Sequence, residues 1–284
     1  MKIAVNTRLL LKDKLEGVGW FTYETLQRMV RDHPGHEFIF FFDRPFSPEF
    51  IFGPNVQPVV AGPPARHPLL FLLWFEMTIP GLLKKYKPDV FLSPDGYLSL
   101  RAKTPSVAVM HDLNFEHYPR DLPFMVRHYY RFMFPRFARK AARIITVSRF
   151  SANDIAKQYQ VDPDTIDVAY NGANEIYTPL EEQERLEALR RFSGNKPYLL
   201  YVGALHPRKN IVNMLNAFDH YKQAHPRDAL RLLIVGQEMW RNNTMHKAYQ
   251  HMAFREDVIF AGRMEQQDLR KAYGAAEALL FVSV

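Results

Sequence analysis

Short apolar runs alternate with helix-period segments along the whole chain, and that alternation admits few folds. A strand covered on both faces reads as a continuous apolar run, and a parallel neighbour needs a crossover helix to reach it. The pattern predicts α/β architecture with parallel sheets. In the first half the expected strands are Ile3–Asn6, Glu37–Phe42, Val56–Val60, Val90–Ser93, Ser106–Met110, Ile144–Val147 and Ile166–Val168. Between them the spacing predicts helices at Gly19–Arg31, Leu69–Tyr86, Phe124–Ala142 and Ser151–Gln158. Entry to the last helix is expected at Ser151, with Asp154 three residues on as an acidic form of the capping box.

The rhythm breaks at the turn-rich stretch Tyr170–Pro179, and the charged segment Glu181–Arg191 leads into Ser193–Pro197. This reads as an interdomain connector over residues 181–197, between a first domain (1–180) and a second (198–284). The second domain repeats the alternation: strand Tyr198–Val202, helix Ile211–Ala224, strand Leu230–Val235, helix Met245–Ala253, strand Val258–Phe260, helix Gln266–Tyr273 and strand Ala278–Val282. A Rossmann-like sheet ordinarily holds about six strands, so this domain is expected to be cut short.

Composition narrows the chemistry. The chain has 284 residues and no cysteine, which excludes disulfides, thiolate metal sites and cysteine nucleophiles. A balance of 37 Lys+Arg against 30 Asp+Glu, net +7, suits anionic partners. No zinc spacing, RNP-like motif or basic zipper is present, so nucleic acid is not expected as a partner. Met1–Asn6 enters a strand directly, without the charged and apolar regions of a signal peptide. Leu69–Leu83 is the most apolar window, but Glu76 and Pro80 interrupt it short of the roughly 20 residues a span requires. It is expected to be a buried helix.

The stretch Tyr198–Asn210 carries the sharpest functional signal. An apolar strand ends at Gly203, Pro207 constrains the loop, and Arg208 and Lys209 stand just before a helix opening at Ile211. Cations and helix N-terminal amides delivered to one point suit a phosphate or diphosphate. The plainer alternative is a solvated cation pair in a basic protein. Gly17-Val18-Gly19 lies in the first strand-to-helix connection and is either a ligand loop or a flexible loop with a glycine helix start. His111-Asp112 follows strand Ser106–Met110, and ligands gather at the carboxyl ends of strands in open α/β sheets. A structural or solvated histidine is the alternative. Phe124–Arg143 mixes aromatics with Arg127, Arg131, Arg136, Arg139, Lys140 and Arg143. Such a segment either lies on an anionic membrane surface or is a domain helix with a wet basic face.

Taken in order and spacing, these pieces resemble the GT-B retaining glycosyltransferases of family 4, in particular their mannosyltransferase-like branch. The resemblance runs through Gly17–Tyr23, Leu73–Glu76 with Ile79-Pro80, Asp89–Pro94, Val109–Leu113, Ala142–Ser148 with Ser151, Tyr170–Gly172, Val202–Asn210 and Ile259–Gly262. It implies a fold of two Rossmann-like domains facing across a cleft, here with the second incomplete. By this resemblance His111 is the active-site histidine that contacts the donor sugar, and Arg208, Lys209 and Gly203 belong to the diphosphate site. Gly17 and Gly19 match the loop facing acceptor and donor phosphates, and Gly262, Arg263 and Met264 match the segment meeting the nucleotide base. Many relatives place an arginine directly after the strand-end glycine, where this chain has Ala204.

The resemblance implies metal-independent transfer of a sugar to a lipid-linked or polysaccharide acceptor, with no cofactor beyond the nucleotide-sugar co-substrate. GDP-mannose is the favoured donor and a UDP-sugar the alternative. It implies a cytoplasmic enzyme, with peripheral contact at the inner face of the membrane among the expectations. The family's pair of spaced glutamates, which hold donor hydroxyls, would follow Ala278–Val282, where the sequence stops. From this the chain is expected to be feeble or inactive by itself. The competing reading is a non-catalytic truncated paralogue that keeps a nucleotide- or acceptor-binding surface.

Overall fold

The computed structural model describes residues 1–15, 17–237 and 243–283. Glu16, ahead of the expected glycine loop, and Val284, at the end of the second expected domain, lie outside the described residues. The chain forms two compact units, Met1–Gly172 and Ala173–Val284.

The first unit runs β1 (Lys2–Asn6), α1 (Gly17–Asp32), β2 (Glu37–Phe42), β3 (Val56–Val60), α2 (Pro68–Leu73), α3 (Ile79–Tyr86), β4 (Val90–Ser93) and β5 (Ser106–Val109). It continues through α4 (Asn114–His117), α5 (Phe124–Lys140), β6 (Arg143–Thr146), α6 (Arg149–Tyr159) and β7 (Ile166–Val168). Among the described residues its strands form one parallel sheet in the order β3-β2-β1-β4-β5-β6-β7. The sheet is buried on both faces, which is why β2 is apolar almost without interruption. Ile39 and Phe41 join one core with Trp74, Phe91 and Phe137, while Phe38, Phe40 and Phe42 join the other with Leu26 and Val30. The order reverses beside β1, so the gap between the ends of β1 and β4 is the switch point where such sheets take ligands.

Two expectations for this unit need correction. The single helix expected over 69–86 is broken into α2, a wide π turn at Trp74–Thr78, and α3. Pro80 has no N–H to give Glu76, and Arg101 Nη1 donates to the freed Glu76 carbonyl at 3.4 Å. The segment is also only half buried: Trp74, Phe75 and Ile79 are inside, whereas Leu69, Leu72 and Met77 are exposed. The second correction concerns α6, whose N-cap is Ser148 rather than Ser151. The Ser148 hydroxyl accepts from the Ser151 amide at 3.0 Å, and Asp154 instead meets His117 Nε2 at 2.7 Å.

The second unit comprises α7 (Glu182–Ser193), β8 (Tyr198–Val202), α8 (Ile211–Ala224), β9 (Arg231–Val235), α9 (Asn243–His251), β10 (Val258–Gly262), α10 (Gln266–Gly274) and β11 (Ala278–Leu279). Among the described residues the parallel sheet has the order β10-β9-β8-β11, and its switch point lies between β8 and β11. Leu232 and Ile234 face one core and Leu233 and Val235 the other. Residues 181–197, expected as a connector, contribute α7 to this unit. Its Ala188 is buried with Tyr198 and Leu200, and Arg191 pairs with Asp268 of α10 at 2.6 Å. β11 is shorter than the expected Ala278–Val282.

A buried cation fastens the far end of this sheet. Lys222 of α8, 2% exposed, meets Asp257 at 2.8 Å and the Leu230 carbonyl at 3.3 Å. That contact lies at the amino ends of β9 and β10. The carboxyl ends are left for other work.

Candidate functional site

In the second unit, glycine ends β8, β9 and β10 or follows them directly, at Gly203, Gly236 and Gly262. Gly203 N–H donates to the Val235 carbonyl at 2.9 Å, and Gly236 N–H donates to the Gly262 carbonyl at 2.8 Å. A Cβ on Gly236 would stand 1.8 Å from the Gly203 oxygen, so the rim admits only hydrogen there. Gly203 and Gly236 also have φ of +156° and +153°, a region that side chains disfavour. The sequence signal for Gly236 was available, because Val235-Gly236 repeats the strand-then-glycine pattern of Val202-Gly203. The sequence reading singled out only the other two.

Beyond Gly203 the chain forms a tight built loop. Tyr201 donates its hydroxyl to the Ala204 carbonyl at 3.2 Å, and burial pushes this phenol up to about 12 despite the opposing charge of Arg208. Pro207–Lys209 make one 3₁₀ turn, with His206 Nδ1 accepting from the Arg208 amide at 3.3 Å. Asn210 then adopts φ +60° and starts α8 without a side-chain cap, its Oδ1 being taken by Asn213 Nδ2 at 2.7 Å. Among the described residues no side chain caps the first-turn amides of α8, which leaves them to donate to solvent or a ligand. Among the described residues Arg208 makes no ion pair. Lys209 Nζ lies 5.6 Å from the ring centroid of Phe281, just past β11. Lys209 thus sits beside the β8–β11 switch point, and Arg208 precedes it on the same turn.

The base-side residues of the sequence reading follow β10. Gly262 has φ +68°, is exposed and has open space where a Cβ would be; Arg263 is exposed, and Met264 packs on the core that holds Val235. Gly203, Arg208, Lys209, Gly262, Arg263 and Met264 therefore share the carboxyl rim of one sheet.

In the first unit His111 follows β5 at the carboxyl rim. Its Nε2 lies 3.0 Å from the Pro94 carbonyl, and Phe21 of α1 meets its ring edge-on with centroids 4.8 Å apart. A carbonyl only accepts, so Nε2 carries the proton and Nδ1 is left with a lone pair. Burial is the largest influence on the ring and lowers its pKa, against the Pro94 bond and the charges of Asp112 and Asp95. The imidazole is neutral at pH 7 and suited to accept a hydrogen bond.

Gly17 and Gly19 both lie in the first turn of α1 rather than in a loop ahead of it. They differ in role. Gly17 is exposed and a Cβ there would touch nothing, whereas one on Gly19 would meet the Leu9 carbonyl at 3.1 Å and Leu15 Cδ2 at 3.2 Å. Gly19 thus has a packing reason that the sequence alone did not disclose.

A buried polar network also stands on this rim. Arg8, after β1, pairs with Asp95, after β4, across the switch point. Each residue stands two positions past a strand end, a placement that is legible in the sequence.

Known families and structures agree with this architecture. Residues 15–175 match the family model for Glycosyltransferase Family 4, and residues 182–284 match that for Glycosyl transferases group 1. O-antigen chain mannosyltransferase B of Escherichia coli is 25% identical over 206 residues, covering 71% of this chain and 52% of that protein. O-antigen chain mannosyltransferase RfbU of Salmonella typhimurium is 27% identical over 176 residues, covering 62% of this chain and 44% of its own length. The chain spans about half the length of these curated relatives. The crystal structure of Anabaena HepE in complex with UDP and glucose superposes with a TM-score of 0.69 at 16% identity, covering 100% of this chain and 74% of that one. At such identity the likeness shows the fold, which is GT-B.

Proposed function

The chain belongs to glycosyltransferase family 4, and on that premise we propose that it serves sugar transfer from a nucleotide-sugar donor to a glycan or lipid-linked acceptor. The observation that carries this reading is the rim Gly203–Ile211: a glycine strand end, two cations and an uncapped helix start within one loop. A diphosphate seated there accepts from the first amides of α8 and from Arg208 and Lys209. The same groups stabilise the charge that grows on the diphosphate as the glycosidic bond breaks. In this account they do the work a metal ion does in other sugar transfers. Gly262, Arg263 and Met264 line the base end, where the open space beside Gly262 lets a flat ring approach the backbone.

His111, neutral with a free Nδ1, accepts from a hydroxyl of the donor sugar and so orients the reacting carbon. Transfer with retention follows if the acceptor attacks on the face the diphosphate leaves, through an oxocarbenium-like state. The curated mannosyltransferase relatives favour mannose, hence GDP-mannose, as donor. The HepE complex makes a UDP-sugar the second choice.

A lipid-linked acceptor is consistent with α5. Its outer face exposes Phe124, Met125 and Phe132, and the helix carries Arg127, Arg131, Arg136, Arg139 and Lys140 with no acidic residue. Apolar side chains rimmed by cations suit peripheral contact with an anionic membrane. Among the described residues no helix is long and apolar enough to cross one.

Calorimetric titration tests the donor site. Lys209→Ala is expected to weaken GDP or UDP binding by about 1.5–3 kcal/mol while barely changing the affinity for the nucleoside. Equal losses for nucleotide and nucleoside would take the lysine off the phosphates.

A further inference from the structure

The carbonyl that holds His111 belongs to Pro94, one peptide bond from Asp95, a buried carboxylate with four hydrogen-bond donors. We propose that Asn6, Arg8, Ser93 and Asp95 form a positioning network that, through the Pro94 carbonyl, fixes His111 as its Nε2–H tautomer and keeps Nδ1 as the acceptor. This rests on the reading that His111 meets the donor sugar, and it adds the residues that make such a contact selective.

Arg8 Nε donates to Asp95 Oδ2 at 2.5 Å, and the two side chains are only 10% and 5% exposed. The other carboxylate oxygen, Oδ1, accepts from Asn6 Nδ2 at 3.0 Å, Ser93 Oγ at 3.0 Å and the Tyr97 amide at 3.4 Å. Asn6 Nδ2 also reaches Ser93 Oγ at 3.1 Å. The guanidinium is boxed by aromatic rings, 4.7 Å from the Tyr97 centroid and 5.2 Å from that of Phe71, and its Nη1 donates to the Ala65 carbonyl at 3.3 Å.

A buried ion pair contributes little net stability compared with apolar residues of the same size, because both charges lose their hydration. Its value is geometric. Ser93 precedes Pro94 and Tyr97 follows Gly96, so the hydrogen bonds to Asp95 clamp the main chain on both sides of the peptide that carries the Pro94 oxygen. Pro94 has a fixed φ and no N–H of its own. Gly96 follows at φ +81°, a left-handed turn that favours glycine, and a Cβ there would crowd Phe134 at 3.2 Å and the Val109 oxygen at 3.3 Å. The acceptor is therefore aimed before any ligand arrives. On the ring's side, the edge contact with Phe21 restricts rotation about the remaining axis.

A network that only stabilised the fold would leave the tautomer of His111 unchanged when it was weakened. Imidazole nitrogen chemical shifts of the full chain distinguish the two roles. In the unaltered protein His111 is expected as the Nε2–H form alone. Asp95→Asn is expected to lower the Nε2–H to Nδ1–H ratio about fivefold, the net worth of one hydrogen bond. Since Asp95→Asn leaves Arg8 buried with a neutral partner and can unfold the unit, Ser93→Ala serves as the decisive second variant. It keeps the ion pair, removes the hydroxyl bridging Asn6 and Asp95, and is expected to shift the same ratio several-fold. A folded Ser93→Ala chain whose His111 tautomer is unaltered would overturn the proposal.

Adding GDP-mannose and GDP separates this result from the functional reading. Should the variants loosen the tautomer while the affinity ratio between the two ligands stays fixed, the network stands and the contact between His111 and the sugar falls.

Discussion

Replacing Gly236 by alanine puts the glycine rim of the second sheet to a quantitative test. The added methyl carbon would lie 1.8 Å from the Gly203 oxygen and 2.8 Å from its carbonyl carbon. A carbon–oxygen contact needs about 3.3 Å, so the ends of β8 and β9 must part by about 1.5 Å. No rotamer can absorb this, because both partners are backbone and Gly203 is tied to Val235 by its own amide. Backbone held in a region that side chains avoid costs about 1–3 kcal/mol, and forced overpacking adds about 1–3 kcal/mol. A loss of about 2–6 kcal/mol is a large share of the roughly 5–15 kcal/mol that holds a domain together. Urea unfolding of the full chain should show the transition of the second unit moved to lower denaturant with its slope preserved. Because the displaced residue is Gly203, affinity for a nucleoside diphosphate should fall as well. Gly262→Ala is the control: its φ of +68° costs about 1–2 kcal/mol, but nothing lies within 4 Å of the new methyl. If Gly236→Ala came within about 1 kcal/mol of the parent, the account of the rim as a contact that only glycine allows would be wrong.

Gly17→Ala meets nothing and sits in a helical turn, so it should stabilise the chain by about 0.4–1 kcal/mol; a simultaneous loss of donor or acceptor binding would mark Gly17 as a ligand contact. Burial holds the folded pKa of His111 below its ordinary 6.5, so in acid the unfolded chain takes up the proton first. The stability increment is therefore complete above that value and declines as pH falls through it towards the folded pKa, and His111→Gln should flatten this slope in urea midpoints. Phe132→Ser with Arg136→Gln should weaken binding to vesicles rich in phosphatidylserine by at least about 1 kcal/mol, the worth of one basic residue at such a surface. Unchanged binding would leave α5 as an ordinary domain helix with a wet face.

Much of the architecture was legible because a parallel sheet announces itself. β2 reads as an unbroken apolar run since both of its faces are covered, and its boundaries were foreseen as Glu37–Phe42. Local hydrogen-bond geometry was harder to read. Ser148 and Ser151 are equally good caps by composition, and the end of β6 at Thr146 decided between them. Glu76 and Pro80 were noticed as interruptions, but the widened turn between them depends on Arg101, which arrives from after β4. Long-range pairs were the least accessible. Nothing in the spacing of Arg8 and Asp95 says that they meet until the order of β1 and β4 is known. For the candidate site, strand-end position was enough to nominate Gly203, Arg208, Lys209 and His111. It could not show that Gly19 is held by packing or that Gly236 completes the glycine row.

The proposed donor site puts a nucleoside diphosphate where β8 gives way to α8. Amide chemical-shift mapping tests it most directly, with GDP or UDP added to the labelled full chain and the matching nucleoside added in parallel. The diphosphate is expected to move the amides from Gly203 through the first turn of α8, and the nucleoside to leave them in place. Shifts that avoid this loop, or that the nucleoside reproduces there, would contradict it.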